Sequence, residues 1–184
     1  MPNFTKRAIK ESFWKLLNEK PLSQISVRAI VEDCGINRNS FYYHFQDIPS
    51  LIEEIVMDAA NALISEYPNI SSFEEAVEVA FRFTLNNKTA VKHICSSVNR
   101  DIYEQYLMKI CEYVANAYFN TVFCDREIDE QKKKNVILFA KCEIFGLFID
   151  WINTGMPDDA MTTLKQIVPM CSKMIKELIE NTGE

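Results

Sequence analysis

Apolar residues recur three and four positions apart through most of the chain, which is the spacing of one face of an α-helix. No segment shows a convincing alternation of apolar and polar residues, the pattern of a half-buried β-strand. We therefore expect an all-α fold of about nine helices. The expected helices cover residues 6–19, 27–34, 38–45, 47–65, 72–85, 88–98, 100–122 and 130–153, and a last helix starts at residues 157–159.

Local signals indicate where several of these helices begin. Thr5 is the expected N-cap of the first helix and Asp47 that of the fourth. Ser72 and Glu75 have the spacing of a capping box, in which each residue satisfies a free backbone N–H at a helix start. The sequence Tyr67-Pro68-Asn69 interrupts the helical pattern, so we place a domain boundary there.

The stretch from Ser26 to Phe45 has the signals of two short helices joined by a tight turn. Ser26 is a good N-cap for the first helix, and Gly35 stands where a left-handed residue ends it. Asn37 is an N-cap for the second helix. Phe41 and Phe45 lie four positions apart, so both are expected on the buried face of that helix. The pattern is that of a helix-turn-helix, whose second helix enters the major groove of DNA.

The second helix directs polar groups outward if its phenylalanines point inward. Arg38, Asn39 and Ser40 are predicted to reach base edges, because arginine binds guanine and asparagine binds adenine through paired hydrogen bonds. Tyr43 is expected to touch a phosphate or a thymine methyl group. A three-helix surface with no nucleic-acid partner is the alternative interpretation.

The same stretch resembles the DNA-binding domain of the TetR/AcrR family of bacterial transcriptional regulators. The matching residues are Ser26-Val27-Arg28, Gly35-Ile36-Asn37 and Ser40-Phe41-Tyr42-Tyr43-His44-Phe45, and the resemblance covers roughly residues 5 to 65. It implies a DNA-binding domain at 1–46, a connecting helix at 47–66 and a ligand-binding and dimerisation domain at 67–184. The body is faintly similar to the branch near dihydroxyacetone-kinase operons.

The resemblance also implies roles for individual residues. Tyr42 and His44 match family positions that usually contact phosphates, and Ser26 and Arg28 would hold the DNA backbone at the preceding helix. The chain departs from the family at Gln46-Asp47-Ile48-Pro49, where many members place a lysine that holds a phosphate. We expect Lys6, Arg7 and Lys10 to compensate for this missing cation.

The distribution of charge favours a basic head on an acidic body. The whole chain has a net charge of −6, which by itself argues against a nucleic-acid partner. Residues 1–46 contain seven lysines and arginines against four acidic residues, a net charge of +3, so the remainder carries −9. This asymmetry fits a local phosphate footprint.

Composition argues against several other classes of protein. The four glycines are too few for a glycine-rich phosphate loop, and no nucleophile–base set or carboxylate pair indicates an enzyme. Two histidines and six cysteines without a Cys-x-x-Cys pair indicate no metal site and no cofactor, and the thiols are expected to be reduced and mostly buried. No apolar run approaches the length of a membrane span, and the N-terminus lacks the apolar core of a signal peptide, so we expect a cytoplasmic protein.

Two further sets of residues are candidates for sites in the body. An apolar pocket for a small-molecule effector is expected from the aromatic residues Phe81, Tyr103, Tyr106, Tyr113, Phe139 and Phe145. The family's four-helix dimer interface implies a dimer surface that contains Phe148, Ile152, Leu164, Met174, Ile175 and Leu178. The alternative for both sets is packing within a single body.

The leading hypothesis is a DNA-binding regulator that acts as a homodimer on a palindromic operator. It would be a repressor that an unknown small-molecule effector releases from double-stranded DNA. A second hypothesis keeps the fold but makes the protein an activator or co-regulator that acts through a protein partner. An enzyme on a helical scaffold is a third hypothesis, which no motif in the sequence supports.

Overall fold

A computed structural model describes residues 2–157 and 160–180 of the chain. Within these residues it contains nine α-helices and a single 3-10 turn at Leu22–Gln24, and no described residue lies in a strand. The predicted all-α fold is therefore confirmed. The helices are α1 (Pro2–Glu19), α2 (Val27–Cys34), α3 (Arg38–His44), α4 (Ile48–Glu66), α5 (Phe73–Asn86), α6 (Lys88–Cys95), α7 (Arg100–Val122), α8 (Glu130–Asn153) and α9 (Ala160–Glu180).

Most predicted helix ends agree with the structure, and their caps explain why. Oδ1 of Asp47 accepts a hydrogen bond of 2.8 Å from the backbone N–H of Ser50, which caps α4. Oγ of Ser72 accepts from the N–H of Glu75 at 3.0 Å, while the Glu75 carboxylate reaches back to the N–H of Ser71 instead of Ser72. The prediction for Thr5 is wrong, because α1 begins at Pro2 and Thr5 lies inside the helix.

The end of α6 differs from the prediction. Helix α6 ends at Cys95, because the following residues turn and the N–H of Ser97 donates to the carbonyl of Ile94 at 3.0 Å. Helix α9 spans Ala160–Glu180 and contains Pro169 in its interior. The acidic residues Asp158 and Asp159, expected at the start of the last helix, lie outside the described residues.

The described chain forms two compact units. The first, which we call the head unit, contains residues 2–59 and 87–106. Its core is built on the apolar face of α1, where Ile9, Phe13 and Leu17 are fully buried. Helices α2 and α3 pack against α1 and contribute Ile30 and Phe41, which are also fully buried. This three-helix core supports the helix-turn-helix.

Helix α6 belongs to the head unit because it packs against α1. Nδ1 of His93 lies 2.7 Å from the carbonyl oxygen of Leu17, a hydrogen bond that requires the proton on Nδ1. The Tyr106 hydroxyl at the start of α7 donates to Glu53 of α4 at 3.1 Å. The contacts thus group residues 87–106 with the helix-turn-helix, whereas the sequence suggested a single body at 67–184. The division into a DNA-binding domain at 1–46, a connecting helix at 47–66 and a ligand-binding and dimerisation domain at 67–184 stays a prediction.

The second unit, which we call the body unit, contains residues 60–86, 107–157 and 160–180. Helices α5, α8 and α9 pack together in it. Phe81 of α5 stacks on α8, with its ring centroid 4.6 Å from that of Phe148 and 5.3 Å from that of Trp151. Within the residues that the structure describes, no helix is both long enough and apolar enough to cross a membrane.

All six cysteines carry free thiols. Cys95, Cys111 and Cys171 are buried, and burial raises the pKa of the Cys95 and Cys111 thiols to about 12. Cys124 and Cys142 are exposed, so burial holds for only part of the predicted set. The buried thiols are protonated at neutral pH and contribute to packing, not to reactivity.

Candidate nucleic-acid interface

Helix α2 begins where the sequence predicts it. Oγ of Ser26 accepts a hydrogen bond of 3.2 Å from the backbone N–H of Ala29, so Ser26 is the N-cap. Ile30 and Val31 are buried on the inner face of the helix. The outer side of its first turn is left to polar side chains, with Ser26 and Arg28 both exposed.

The turn between α2 and α3 depends on Gly35. Its φ of 70° is in the left-handed region, where only glycine avoids a backbone cost. A Cβ atom at this position would meet no atom within 4 Å, so the backbone conformation, and not lack of space, favours glycine here. The N–H of Ile36 donates to the carbonyl of Val31 at 3.0 Å and closes the end of α2.

Helix α3 is short and is held by its two phenylalanines. Phe41 and Phe45 are both buried, with ring centroids 5.8 Å apart. A seven-residue helix is not stable alone, so this anchoring fixes its orientation. Oδ1 of Asn37 accepts from the N–H of Ser40 at 2.8 Å and caps the helix at its start. Both features match the prediction.

The three predicted base readers differ in how free they are. Arg38 and Asn39 are exposed in the first turn of α3, the part of a recognition helix that contacts bases. Ser40 is half-buried, and its hydroxyl donates to Oδ1 of Asn37 at 3.1 Å. Base contact by Ser40 would break this second bond to the capping residue, so Arg38 and Asn39 are the stronger candidates.

Two tyrosines extend the exposed face of α3. Tyr42 is 55% exposed and Tyr43 is 79% exposed. No described residue accepts a hydrogen bond from either hydroxyl, so both are available to an external acceptor such as a phosphate. Tyr43 also packs edge-on against the half-buried His44, with ring centroids 5.0 Å apart.

Arg28 is already paired within its own helix. Its Nε lies 2.7 Å from Oε1 of Glu32, one turn further along α2. Both side chains are mostly exposed, and pairs of this kind contribute little to stability. Arg28 can therefore leave Glu32 and bind a phosphate at a small cost in free energy. It stays a candidate for contact with the DNA backbone.

The two lysines expected to replace the missing cation form ion pairs with carboxylates of α4. Nζ of Lys6 lies 2.7 Å from Oε2 of Glu54, and Nζ of Lys10 pairs with both Glu54 and Asp58. The head unit thus ties two lysines of α1 to the carboxylates of α4. Compensation by these three cations stays a prediction; of the three, only Arg7 is mostly exposed, paired with Glu11 of its own helix. No local pattern indicates this pairing, because Lys10 and Asp58, for example, lie 48 residues apart.

Two family models match the chain. One, described as bacterial regulatory proteins of the tetR family, matches residues 13–55. The other, described as a transcriptional regulator C-terminal region, matches residues 71–177, which is more than half of the chain. The chain belongs to the TetR family. It is a DNA-binding transcriptional regulator, and the family matches place it among regulators and not among enzymes.

Individual relatives agree with this assignment. The chain is 29% identical over 63 residues to the HTH-type transcriptional regulator YxbF of Bacillus subtilis, a match over 34% of this chain and only 17% of that protein. It is 22% identical over 141 residues to the HTH-type transcriptional regulator SAB2452 of Staphylococcus aureus, a match over 72% of this chain and 75% of that one.

Solved structures share the fold. The dihydroxyacetone kinase operon activator DhaS superposes with a TM-score of 0.73 at 19% identity, covering 94% of this chain and 96% of its own. A TetR transcriptional regulator from Rhodococcus sp. RHA1 superposes with a TM-score of 0.59 at 13% identity, covering both chains completely.

The predicted effector-pocket residues are divided between the units. Tyr103 and Tyr106 belong to the head unit and are buried there, and the other four, Phe81, Tyr113, Phe139 and Phe145, belong to the body unit. The Tyr113 hydroxyl donates to the carbonyls of Ile64 and Tyr67, a structural role. A single pocket formed by these six residues stays a prediction; among them, Phe81 lines a cavity of about 240 Å³ bounded by α5, α8 and α9.

The predicted dimer residues divide by burial. Phe148, Leu164 and Ile175 are buried inside the body unit of a single chain, so they are not available to a second copy. Met174 and Leu178 are 49% and 47% exposed, and Ile152 is half-buried. Met170, which the prediction omitted, is exposed one turn before Met174. Its spacing from Met174 and Leu178 was a usable signal in the sequence.

Proposed function

We propose that the protein is a repressor that acts as a homodimer on a palindromic operator and that a small-molecule effector releases it. The observation that carries this proposal is the exposed polar face of α3, held outward by the buried Phe41 and Phe45. In this proposal α3 enters the major groove, and the regulator acts on double-stranded DNA in the cytoplasm.

Each exposed group has a distinct task in this proposal. Arg38 and Asn39 read base edges, since their side chains suit guanine and adenine. Tyr42, His44 and Arg28 contact phosphates, which supplies affinity without sequence information. Tyr43 contacts a phosphate or a thymine methyl group. Ser26, whose hydroxyl caps α2, lies beside the backbone contact of Arg28.

A homodimer is supported by the exposed apolar residues of α9. Met170, Met174 and Leu178 follow one another at four-residue spacing and are all exposed in the single chain. A two-fold arrangement would present two α3 helices to half-sites about 34–36 Å apart, or a multiple of that distance. The palindrome in the operator would mirror the two-fold axis of the protein.

Release by an effector requires a link between its site and the DNA-binding helices. Helix α4 contributes residues up to Ala59 to the head unit and later ones to the body unit, and α7 is divided after Tyr106. A change in the body unit would act on the head unit through these two continuous helices. Moving such a switch from 1:99 to 99:1 requires a preference of about 5.5 kcal/mol for one state.

A second candidate function is that of an activator or co-regulator. The start of α4 has no cation, and Lys6 and Lys10 are paired with α4, so phosphate binding by the isolated head unit is limited. A protein partner would supply the missing affinity. The printed name of the structural neighbour DhaS describes that protein as an operon activator.

Transcription in vitro from a promoter that carries the bound DNA sequence distinguishes these functions. A repressor lowers the amount of transcript as purified protein is added. An increase in transcript by the protein alone would establish an activator instead. An effect that appears only with a cell extract, and that survives small-molecule removal by dialysis of the extract, would establish a co-regulator with a protein partner.

A further inference from the structure

Lys6 lies beside the end of helix α3. Its Nζ is 5.6 Å from the centre of the Phe45 ring, and Phe45 is the C-cap of α3. The major groove of DNA is about 12 Å wide, which is close to the diameter of a helix with its side chains. Groups beside a helix in this groove therefore approach the phosphates along its edges. With α3 in the groove, the Lys6 ammonium group would lie next to the DNA backbone.

The sequence supplies no other lysine or arginine at this end of α3. Between Arg38 and Arg82 the chain contains neither residue, and this stretch includes the rest of α3 and all of α4. A phosphate near Phe45 would thus depend on α1 for a lysine.

The carboxylate of Glu54 occupies the Lys6 ammonium group. Nζ of Lys6 lies 2.7 Å from Oε2 of Glu54, and the two side chains are only 35% and 22% exposed. A partly buried ion pair is screened by salt much less than an exposed one. The Lys6–Glu54 ion pair can therefore compete with a phosphate for the same ammonium group.

Lys10 differs from Lys6 because it has a second acidic partner. Its Nζ pairs with Glu54 and also lies 2.6 Å from Oδ2 of Asp58, one turn further along α4. Among the described residues, no second carboxylate pairs with Lys6. Removal of the Glu54 charge would leave Lys10 bound to Asp58 and would release Lys6.

Helix α4 is also held from another side at this level. Oε1 of Glu53, the residue before Glu54, accepts a hydrogen bond of 3.1 Å from the Tyr106 hydroxyl of α7. Adjacent residues of α4 thus contact α1 and α7 within the head unit. The position of Glu54 relative to Lys6 is supported by contacts that do not involve DNA.

We propose that Lys6 is a phosphate-binding residue that Glu54 keeps from DNA, so that Glu54 lowers the affinity of the protein for DNA. This inference rests on the proposed function, because it requires α3 to enter the major groove. The ion pair and the phosphate contact are alternatives for one ammonium group. Glu54 therefore acts as an autoinhibitory contact within the head unit.

The test is a double-mutant cycle of Lys6→Met and Glu54→Gln in the full chain. Binding to a duplex that the wild-type protein selects from random DNA is measured by fluorescence anisotropy at several salt concentrations. Glu54→Gln should bind more tightly than wild type at low salt. One added phosphate contact should make its affinity fall about threefold further than that of wild type between ~50 and ~200 mM salt.

Lys6→Met and a charge control complete the cycle. Methionine keeps most of the length of the lysine side chain but carries no charge. Lys6→Met alone should leave the affinity and its salt dependence unchanged, and it should remove the added salt dependence of Glu54→Gln. Glu19→Gln removes one negative charge from an exposed position at the end of α1, and it should not change the salt dependence.

Two results would overturn the inference. One is weaker binding by Lys6→Met alone with a smaller salt dependence, which would show that Lys6 already contacts a phosphate in the wild-type protein. This result is decisive even if Glu54→Gln fails to fold. The other is no gain from Glu54→Gln, or the same gain with and without Lys6. A folded wild-type protein that selects no duplex would instead contradict the proposed function, and the inference with it.

Discussion

Nζ of Lys6 lies 2.7 Å from Oε2 of Glu54, which joins the first helix of the head unit to the fourth. Lys10 shares the same carboxylate and also pairs with Asp58. Burial alone would raise the pKa of Glu54, yet the hydrogen bonds from Lys10 and Lys6 outweigh it, and the net shift is downward. The network therefore stabilises the head unit only while Glu54 is ionised.

This lowered pKa predicts acid sensitivity. Because the folded-state pKa of Glu54 lies below its ordinary value of 4.5, its contribution is present above that value and is lost as pH falls through the folded pKa. We expect Glu54→Gln to lower the free energy of unfolding near neutral pH, with the difference from wild type shrinking as the pH falls below 4.5 and through the folded-state pKa. Urea unfolding across this range measures it. Glu78→Gln is the control, and a constant difference for Glu54→Gln at all pH values would refute the prediction.

The turn of the helix-turn-helix predicts a second effect on stability. Gly35→Ala should lower the free energy of unfolding by about 1–2 kcal/mol, because alanine pays the cost of the left-handed backbone although its Cβ meets no neighbour. Gly35→Asn should cost less, since asparagine tolerates this conformation. Thermal unfolding of the three proteins gives the order. Equal stability of the alanine and asparagine variants would show that the backbone conformation is not the cause.

The caps, the glycine and the two phenylalanines explain why the helix-turn-helix was predictable. Ser26, Gly35 and Asn37 act on neighbours within five residues, and Phe41 and Phe45 are one helical turn apart. Signals of this kind involve only neighbouring residues, so they can be recognised from the sequence alone. The start of α1 was mistaken because Thr5 is also a good capping residue, and nothing local distinguishes a cap from a residue inside the helix.

The features that sequence reasoning missed depend on distant residues. His93 meets the carbonyl of Leu17 across 76 positions, and this contact helps place α6 in the head unit. The cavity beside Trp151 requires α5, α8 and α9 to meet, and an aromatic residue in a helix has the same pattern whether it fills a core or lines a pocket.

Arg38 is expected to discriminate between bases. Arg38→Ala should weaken operator binding by about 1–3 kcal/mol and relax the preference at one base position, because a bidentate contact is lost. Fluorescence anisotropy with the operator and its single-base variants measures both effects. Arg126→Ala, a change in the body unit, is the matched control. An unchanged order of preference among the base variants would remove Arg38 from the set of base readers.

Tyr42 is expected to contribute to DNA binding independently of the base sequence. Its hydroxyl donates to no described residue, so Tyr42→Phe should leave the folding of the head unit unchanged. We expect it to weaken binding to all duplexes by a similar factor, since a phosphate contact carries no base information. Binding to operator and random duplexes measures this. A loss confined to particular base pairs would contradict the phosphate role.

The proposed homodimer predicts that a charge on α9 separates the subunits. Leu178→Asp should shift the protein to a monomer, because Leu178 is 47% exposed in the single chain and would be buried between two copies. Leu85→Asp, at a residue of α5 that is 41% exposed, is the control and should leave the dimer intact. Sedimentation equilibrium distinguishes the two states. A Leu178→Asp protein that still sedimented as a dimer would place the interface elsewhere.

We propose that α3 of this TetR-family protein reads DNA sequence as part of a dimer. Selection of bound sequences from random duplex DNA, with purified protein alone and at two salt concentrations, tests it most directly. We expect an enriched palindrome whose affinity falls steeply as salt rises, since phosphate contacts release counterions. A dimeric protein that enriched no sequence at either salt concentration would contradict it.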